Sequence, residues 1–219
     1  ESSRPSSLYS DVRRVSVDEE LARVIPIIES LAKVVTVPLS IDTYKSEVAK
    51  EALSSGASMV NDVWALSRDP LMSETIIEAG VPIVLMHNRD KALYEDLISD
   101  VIDRLYTLMD CAISKGVKKE QILLDPGVGF GKNTEDNLEI LRRLDEFDVL
   151  GRPLLIGTSR KSTIGSVLGL PLDDRVEGTA ATVALAIAGG VDIVRVHDVK
   201  QMVRVSRMSD AITRGWISH

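Results

Sequence analysis

A chain of 219 residues, with 44% hydrophobic and 27% charged side chains, suits one folded domain with a substantial core. Its net charge of −7 argues against binding to nucleic acid or to a membrane surface. No signal peptide is recognisable, and no apolar run approaches the roughly 20 residues of a transmembrane helix. The single cysteine, Cys111, excludes an internal disulfide, and we expect it to be a small buried side chain. A cytoplasmic protein is compatible with these features.

An irregular segment over residues 5–14 precedes a predicted helix, which Ser16 and Glu19 open as a capping box. Strand-like and helix-like segments then alternate, and the strands are apolar on both faces, which is typical of a parallel sheet. The predicted strands are residues 37–43, 58–64, 81–87, 122–125, 153–157 and 191–196. The predicted helices are residues 45–53, 71–79, 94–115, a helix opened by Thr134 with Asn137, and residues 176–188 and 200–212.

This alternation predicts the α/β class, and we expect a TIM (β/α)8 barrel. Such a barrel typically needs about 250 residues, so we expect the first two strands to be absent from this chain. Residues 1–219 would then be a single barrel domain that is N-terminally incomplete, and inactive or badly folded as an isolated polypeptide. The alternative is an open, doubly wound sheet of six strands. No Gly-x-Gly-x-x-Gly motif follows the first strand, which argues against dinucleotide binding.

The segment ILLDPGVGFGK, residues 122–132, is the most informative stretch of the chain. Asp125 is a carboxylate at the point where a buried strand emerges, and Pro126 with Gly127 predicts a turn. We expect Gly129 and Gly131 to let backbone N–H groups approach a ligand closely. The carboxyl end of a parallel strand is a usual place for ligand binding.

Polar side chains collect at the predicted carboxyl ends of five strands, which form the catalytic face of a (β/α) barrel. Side chains alternate along a strand, so residues two apart share a face. Ser159 and Lys161 share the face of Gly157 if the fifth strand stays extended that far. The polar set comprises Asp42, Asn61, Asp125, Lys161, Arg195 and His197.

Most of these residues also have an ordinary structural explanation. Asp42 could cap the following helix, and Asn61 with its neighbour could satisfy loop backbone. Lys161 could be solvated, and His197 could hydrogen-bond within its loop. We expect His87 to be structural. What these explanations leave open is why such residues occur at equivalent strand ends.

The polar set matches an amino-oxo-pyrimidine ring in its donors and acceptors. Asp125 would accept from the exocyclic amine and a ring N–H, while Asn61 and Asp42 would meet the opposite edge. Lys161 would donate to the ring oxygen.

A basic rim would lie beside this ring. Arg195 and His197, joined by Arg4 and a helix N-terminus, could hold a phosphate-type anion. Barrels often bind phosphate after their last two strands, where Arg195 and His197 would lie.

The stretches ESSRP, SIDTYKSEVAKEAL, VNDVW, MHNR, LLDPGVGFGKNTEDNLEIL, GTSRKSTIG and EGTAATVALAIAGGVDIVRVHDV run in order over essentially the whole chain. Together they resemble the dihydropteroate synthase family of folate biosynthesis. The combination of the DPGxGFGK, SRKS and RVHDV segments carries the resemblance.

The resemblance implies a pterin-binding (β/α)8 barrel, usually a homodimer. It implies condensation of 6-hydroxymethyl-7,8-dihydropterin diphosphate with p-aminobenzoate, giving 7,8-dihydropteroate and pyrophosphate, with sulfonamides competing for the p-aminobenzoate site. Mg²⁺ is the implied cofactor. No metal ligand is expected within this chain, because the family's Asn ligand lies in an N-terminal loop that is absent here.

The same resemblance implies a role for each site residue, in a dissociative reaction where Lys161 and Asp125 are catalytic. The pterin would be held by Asp42, Asn61, Asp125 and Lys161, with Met86 and Gly157 lining the slot. Arg195 and His197 would grip the diphosphate. Ser159, Lys161, Phe130, Arg4 and Pro5, next to Ser3, would surround p-aminobenzoate.

Two residues depart from the family pattern: Ser3 stands where Thr is common, and Ala65 where Gly is frequent. We expect Ala65 to change the backbone of its loop.

Three alternative functions remain open: a methyltetrahydrofolate-binding methyltransferase domain, a Schiff-base aldolase using Lys161, and a non-catalytic pterin-binding relative.

Overall fold

A computed structural model describes residues 15–216, which form an α/β protein of short strands and longer helices. The helices are α1 Val17–Ala32, α2 Ser46–Ser54, α3 Met72–Ala79, α4 Leu97–Ser114, α5 Thr134–Arg142, α6 Ser162–Leu168, α7 Val176–Ala188 and α8 Val199–Thr213. The strands are β1 Ser40–Asp42, β2 Met59–Asp62, β3 Ile83–Met86, β4 Ile122–Asp125, β5 Leu155–Ile156 and β6 Ile193–Val194. Two 3₁₀ helices cover Lys119–Gln121 and Leu144–Leu150.

Strand order follows chain order in both sheets. Strands β1 to β4 form one sheet in the order β1-β2-β3-β4, and β5 pairs with β6 in parallel. Val60 lies opposite Ile41 and Ile83 in parallel pairings, and Leu124 in β4 makes a parallel bridge to Leu154 beside β5. A doubly wound sheet reverses its strand order at a switch point. No such reversal occurs among these pairings of the described strands, which disfavours the open-sheet alternative.

The first of two compact units comprises Glu1–Met86 with Tyr106–Leu123. Its core contains fully buried side chains from α2, α3, β2 and β3, among them Val48, Val60, Ile76 and Ile83. Helix α1 packs on α2, which packs on α3. The Ser16 hydroxyl accepts from a backbone N–H of the first turn of α1, which confirms the predicted N-cap.

The second unit comprises His87–Leu105 with Leu124–His219 and has its own core. Ile140 and Phe147 are buried there, and Val183 and Ile187 of α7 pack with Met202 of α8. The helix predicted over residues 176–188 is α7, with the same bounds in the structure. The single-domain organisation of residues 1–219 stays a prediction.

The cap of α5 differs from the predicted one. Thr134 is the first residue of the helix, but Asn133 is the N-cap and forms a reciprocal capping box with Asp136. The Asp136 N–H donates to Asn133 Oδ1 at 2.8 Å, and the Asn133 N–H donates to Asp136 Oδ2 at 2.9 Å. The prediction that Thr134 and Asn137 open the helix is therefore wrong about the capping residues.

Strand β5 is shorter than predicted, and a further helix follows it. It ends at Ile156, and the backbone turns left-handed at Arg160, with φ of 56°, so the strand does not stay extended to Lys161. Helix α6 was not predicted because it is short and contains Gly165. A Cβ at Gly165 would lie 2.2 Å from the guanidinium of Arg175, which would have to move from its bonds to the Arg160 and Leu170 carbonyls.

Cys111 is exposed on α4, so the prediction of a buried cysteine is wrong. Its neighbour Ala112 is fully buried, on a stripe of α4 that also includes Leu97, Val101 and Leu105. None of the helices between residues 15 and 216 is long and apolar enough to cross a membrane.

Candidate active site

Asp42 and Asn61 lie opposite each other at the carboxyl ends of β1 and β2 in the first unit. Asn61 Nδ2 donates to Asp42 Oδ1 at 2.8 Å. Asn61 is buried, and its Oδ1 has no hydrogen-bond partner among the described residues. An unsatisfied buried acceptor costs about 1–3 kcal/mol, so this oxygen is a candidate acceptor for a ligand donor.

Other carboxylates of the first unit supply the local contacts that could have explained Asp42 and Asn61. The Ser46 N–H at the start of α2 donates to Asp69 Oδ2 at 2.7 Å. Asp62, the last residue of β2, accepts from the N–H groups of Trp64 and Leu66 in the following loop, at 2.9 and 2.7 Å. Burial raises the pKa of Asp62, while these N–H donors lower it.

The loop after β2 has a left-handed backbone at two residues that are not glycine. Ala65 has φ of 49°, and Leu66 has φ of 64°. Such a conformation costs an L-residue about 1–2 kcal/mol. Ala65, which stands where glycine is frequent in the family, therefore occupies a conformation that glycine favours.

Asp125, the last residue of β4, is the buried carboxylate of the second unit and is only 6% exposed. Its Oδ1 accepts from the Gly127 N–H at 2.7 Å. Burial raises the pKa of Asp125, and the positive charges of Lys161, Lys132 and Arg195 act to lower it. A buried carboxylate supported by three cations can accept two parallel N–H donors from a planar ligand.

Lys161 lies just before α6, and its Nζ donates to the carbonyl of Val128. The same ammonium lies 4.8 Å from the centre of the Phe130 ring. Burial lowers the pKa of Lys161 to about 8, although Asp125 favours its charged form. The side chain is therefore an ammonium at neutral pH that loses its proton more readily than a solvated lysine.

Lys132 is a buried lysine that was not among the predicted site residues. Its Nζ donates to the carbonyls of Gly127 and Phe130, both at 3.1 Å, and lies 2.9 Å from His87 Nδ1. Burial lowers the pKa of Lys132 to about 7 and that of His87 to about 3. His87 thus has the expected structural role, as a neutral partner of Lys132. The only sequence signal for Lys132 is its place directly after the glycine turn.

Gly129 and Gly131 make room for the protein's own chain. A Cβ on Gly129, where φ is 81°, would lie 3.0 Å from Lys161 Cδ, and one on Gly131 would lie 2.2 Å from the Arg89 carbonyl oxygen. The Gly129 N–H donates to Asn137 Oδ1 at 2.7 Å. The prediction that this N–H approaches a ligand is therefore wrong. At Gly131, the close approach that the structure shows is to Arg89.

The loops after β5 and β6 bring Ser159 and His197 into contact. Ser159 Oγ accepts from the His197 N–H at 3.1 Å and lies 2.9 Å from His197 Nδ1. Arg195 is exposed, and its N–H donates to the Ile156 carbonyl at 2.8 Å, which extends the β5–β6 pairing. A Cβ on Gly157 would lie 3.8 Å from Arg195 Cβ, an ordinary contact distance.

The predicted site residues fall in both units, mostly at or just after strand ends. The first unit contains Asp42, Asn61 and Met86, of which Met86 is only 3% exposed. The second unit contains Asp125, Phe130, Gly157, Ser159, Lys161, Arg195 and His197. Ser3, Arg4 and Pro5 lie outside the described residues.

Metal binding needs several ligating side chains close together. Within residues 15–216, no three His, Cys, Asp or Glu side chains are grouped so that they could hold a metal ion. Mg²⁺ is usually bound by one or two carboxylates together with substrate phosphates. The described residues therefore do not fit a metal ion held by protein side chains alone.

Comparison with known proteins identifies the family of this chain. The family described as pterin binding enzyme matches residues 1–197. The dihydropteroate synthase of Bacillus subtilis (strain 168) is 49% identical over 220 residues, which cover 100% of this chain and 75% of that protein.

Solved structures that resemble this chain are also dihydropteroate synthases. A dihydropteroate synthase from Clostridium difficile, crystallised in the presence of pteroic acid, has a TM-score of 0.90 at 50% identity, covering 98% of this chain and 80% of that one. The enzyme from Xanthomonas albilineans with 4-aminobenzoic acid has a TM-score of 0.89 at 41% identity, covering 97% and 76%. These similarities confirm the predicted α/β fold of the (β/α) barrel type. This chain belongs to the pterin binding enzyme family and, within it, to the dihydropteroate synthases, which are transferases.

Proposed function

We propose that Asp125 and Lys161 bind the pterin half of 6-hydroxymethyl-7,8-dihydropterin diphosphate and catalyse its condensation with p-aminobenzoate. The C–O bond between the pterin methylene and the diphosphate breaks, a C–N bond to the arylamine forms, and the amine loses a proton. The products are 7,8-dihydropteroate and pyrophosphate. The observation that supports this most is Asp125, a buried carboxylate supported by Lys161, Lys132 and Arg195.

The proposed contacts to the pterin follow from donors and acceptors. Asp125 accepts from the exocyclic amine and a ring N–H, and Lys161 donates to the ring oxygen. Asn61 offers its unpaired Oδ1 to a ring donor, while its Nδ2 stays bonded to Asp42. Met86 and Gly157 line the slot in this proposal.

The remaining residues are proposed for the diphosphate and p-aminobenzoate. Arg195 and His197 bind the diphosphate, and the hydrogen bond from His197 to Ser159 orients the imidazole. Lys161, Phe130 and Ser159 surround p-aminobenzoate, together with Ser3, Arg4 and Pro5. Sulfonamides of similar shape would compete there.

The proposed reaction is dissociative, so positive charge develops on the pterin methylene as pyrophosphate leaves. The carboxylates of Asp42 and Asp125 stabilise that charge, and Arg195 and His197 stabilise the leaving group. Phe130, in contact with the Lys161 ammonium, is proposed to shield the site from water.

Mg²⁺ remains part of the proposal as an ion that enters with the diphosphate and neutralises its charge. Since the described residues do not fit a protein-held metal, none of them is assigned to holding the ion. Removing Mg²⁺ with a chelator should lower pyrophosphate release, and unchanged release would contradict this part of the proposal.

We also propose a homodimer that forms through α7 and α8. These helices pack on each other and leave large apolar side chains exposed: Leu185 is 64%, Met208 62% and Ile212 71% exposed. Exposed apolar patches of this kind mark interfaces between proteins. Sedimentation equilibrium would give twice the chain mass, and a monomer would contradict the proposal. Cytoplasmic localisation stays a prediction.

The function is tested by supplying both substrates to the full-length protein and measuring pyrophosphate and dihydropteroate together. Equal amounts of the two products, each dependent on both substrates, are expected. Pterin binding without pyrophosphate release would favour a non-catalytic relative, and methyl transfer to a corrinoid would favour the methyltransferase alternative. Borohydride trapping of a substrate on Lys161 would favour the Schiff-base aldolase.

A further inference from the structure

The loop after β5 contains a strained residue, Arg160, whose left-handed φ of 56° is unusual for a side-chain-bearing residue. Two neighbours hold this conformation. The Arg160 N–H donates to Thr179 Oγ1 at 3.1 Å, and its carbonyl accepts from Arg175 Nη1 at 2.9 Å. Arg175 also donates to the Lys161 carbonyl at 3.2 Å. Backbone strain that is kept in place by several contacts is characteristic of functional sites.

The Arg160 side chain reaches the loop after β6. Its Nε donates to Asp198 Oδ2 at 3.0 Å, and its Nη2 donates to Asp198 Oδ1 at 2.6 Å. This two-pronged geometry fixes direction as well as distance. A second carboxylate, Asp173, lies 3.8 Å away and is 94% exposed, so it contributes little.

The two loops are therefore joined at two points. The first is the Arg160–Asp198 ion pair, and the second is the contact of Ser159 with His197. Lys161 follows Arg160 directly in the first loop, and Arg195 lies in the second. The ion pair thus ties the backbone of Lys161 to the loop that contains Arg195 and His197.

We propose that Arg160 is a positioning residue that sets the spacing between Lys161 and the Arg195–His197 loop, so that one pterin diphosphate is held at both ends. This inference rests on the proposed function, in which Lys161 contacts the ring and Arg195 with His197 contacts the diphosphate. A ligand that spans both loops depends on their spacing, whereas a ligand that touches one loop does not.

The test compares three ligands by calorimetry on the full-length protein: 6-hydroxymethyl-7,8-dihydropterin, inorganic pyrophosphate, and the pterin diphosphate that combines them. Asp198→Asn keeps the shape of the side chain but removes its charge, and Arg160→Met removes the guanidinium. We expect both variants to bind the pterin diphosphate about tenfold more weakly, since a charge-assisted pair is lost. The pterin alone and pyrophosphate alone should bind within about twofold of wild type.

Asp173→Asn is the matched control, because it removes the exposed carboxylate near the same guanidinium, and it should bind all three ligands normally. If Arg160→Met does not fold, the binding data for Asp198→Asn alone test the inference. Unchanged binding of the pterin diphosphate by Asp198→Asn would overturn the inference, and so would an equal loss for all three ligands. A wild-type protein that fails to bind the pterin diphosphate would instead refute the proposed function.

Discussion

The carboxylates at the strand ends of the two units have different electrostatic surroundings. In the first unit, Asp42 is exposed and pairs with the neutral amide of Asn61, which keeps one acceptor unpaired among the described residues. In the second unit, Asp125 is buried, and Lys161 and other cations offset the cost of burying its charge. In both units the carboxylate lies at the end of a strand. The side chains around it determine whether its negative charge is offset. We therefore expect loss of Asp125 or Lys161 to affect catalysis most strongly, and loss of Asn61 to affect mainly binding.

Substitutions in the second unit should reduce activity most. Lys161→Ala removes the principal countercharge of Asp125, and Asp125→Ala removes the buried carboxylate itself. Either change should reduce pyrophosphate release by about 10³-fold or more, with the fold intact by circular dichroism. Lys115→Ala, at an exposed lysine after α4, is the control and should release pyrophosphate normally. Near-normal turnover in either site variant would count against the assigned roles.

The pH dependence of kcat/KM should be determined by Lys161 of the second unit. Burial lowers the pKa of Lys161 to about 8, so its ammonium is present below that pH and lost above it. Because the proposed hydrogen bond to the pterin needs the ammonium, kcat/KM should fall as pH rises through about 8. The check is kcat/KM measured from pH 6 to pH 10. A profile that stays flat to pH 10, as for a solvated lysine, would contradict the role of Lys161.

Substitutions in the first unit should reduce activity less. Asn61→Ala removes the unpaired acceptor and the hydrogen bond to Asp42, so the KM for the pterin diphosphate should rise about tenfold, as expected for a lost hydrogen bond to a buried ligand. The value of kcat should fall much less, because no proton or leaving group moves at this residue. A variant that loses kcat and keeps its KM would place Asn61 with the catalytic residues instead.

The smallest effect concerns stability. Ala65→Gly relieves a left-handed conformation, so the free energy of unfolding should rise by about 0.5–1 kcal/mol after the extra entropy of the unfolded glycine is subtracted. Ala181→Gly, at an exposed position inside α7, should instead lower it by about 1 kcal/mol. Chemical denaturation of both variants provides the measurement. Destabilisation by Ala65→Gly would show that Ala65 makes a packing contribution larger than its backbone strain.

Sequence patterns predicted the elements whose signal is local. The all-apolar run before Asp125 predicted β4 with its observed bounds, and a run of small residues closed by Gly189 and Gly190 predicted α7. Strand alternation failed after β5, because Arg160 turns left-handed under contacts from Thr179 and Arg175 that are distant in sequence. The cap of α5 was misassigned since Asn133, Thr134 and Asn137 are all plausible caps, and only geometry selects Asn133.

The sequence analysis named candidate site residues at the strand ends but did not name the buried side chains that surround Asp125. Asp42, Asn61 and Asp125 could be found because polar residues at strand ends are conspicuous in an apolar run. Lys132 could not be found, because its burial depends on carbonyls of its own turn and on His87, 45 residues earlier in the chain. The structure thus explains why an isolated lysine in a glycine turn is part of the buried charge system.

The most direct test of the account is a double-mutant cycle on Asp125 and Lys161, with binding of the pterin diphosphate measured by calorimetry. Because the two side chains are charge-coupled, the double variant Asp125→Ala with Lys161→Ala should lose less binding free energy than the sum of the two single losses. Losses of binding free energy that simply add up would contradict the account, because they would show two side chains that act independently.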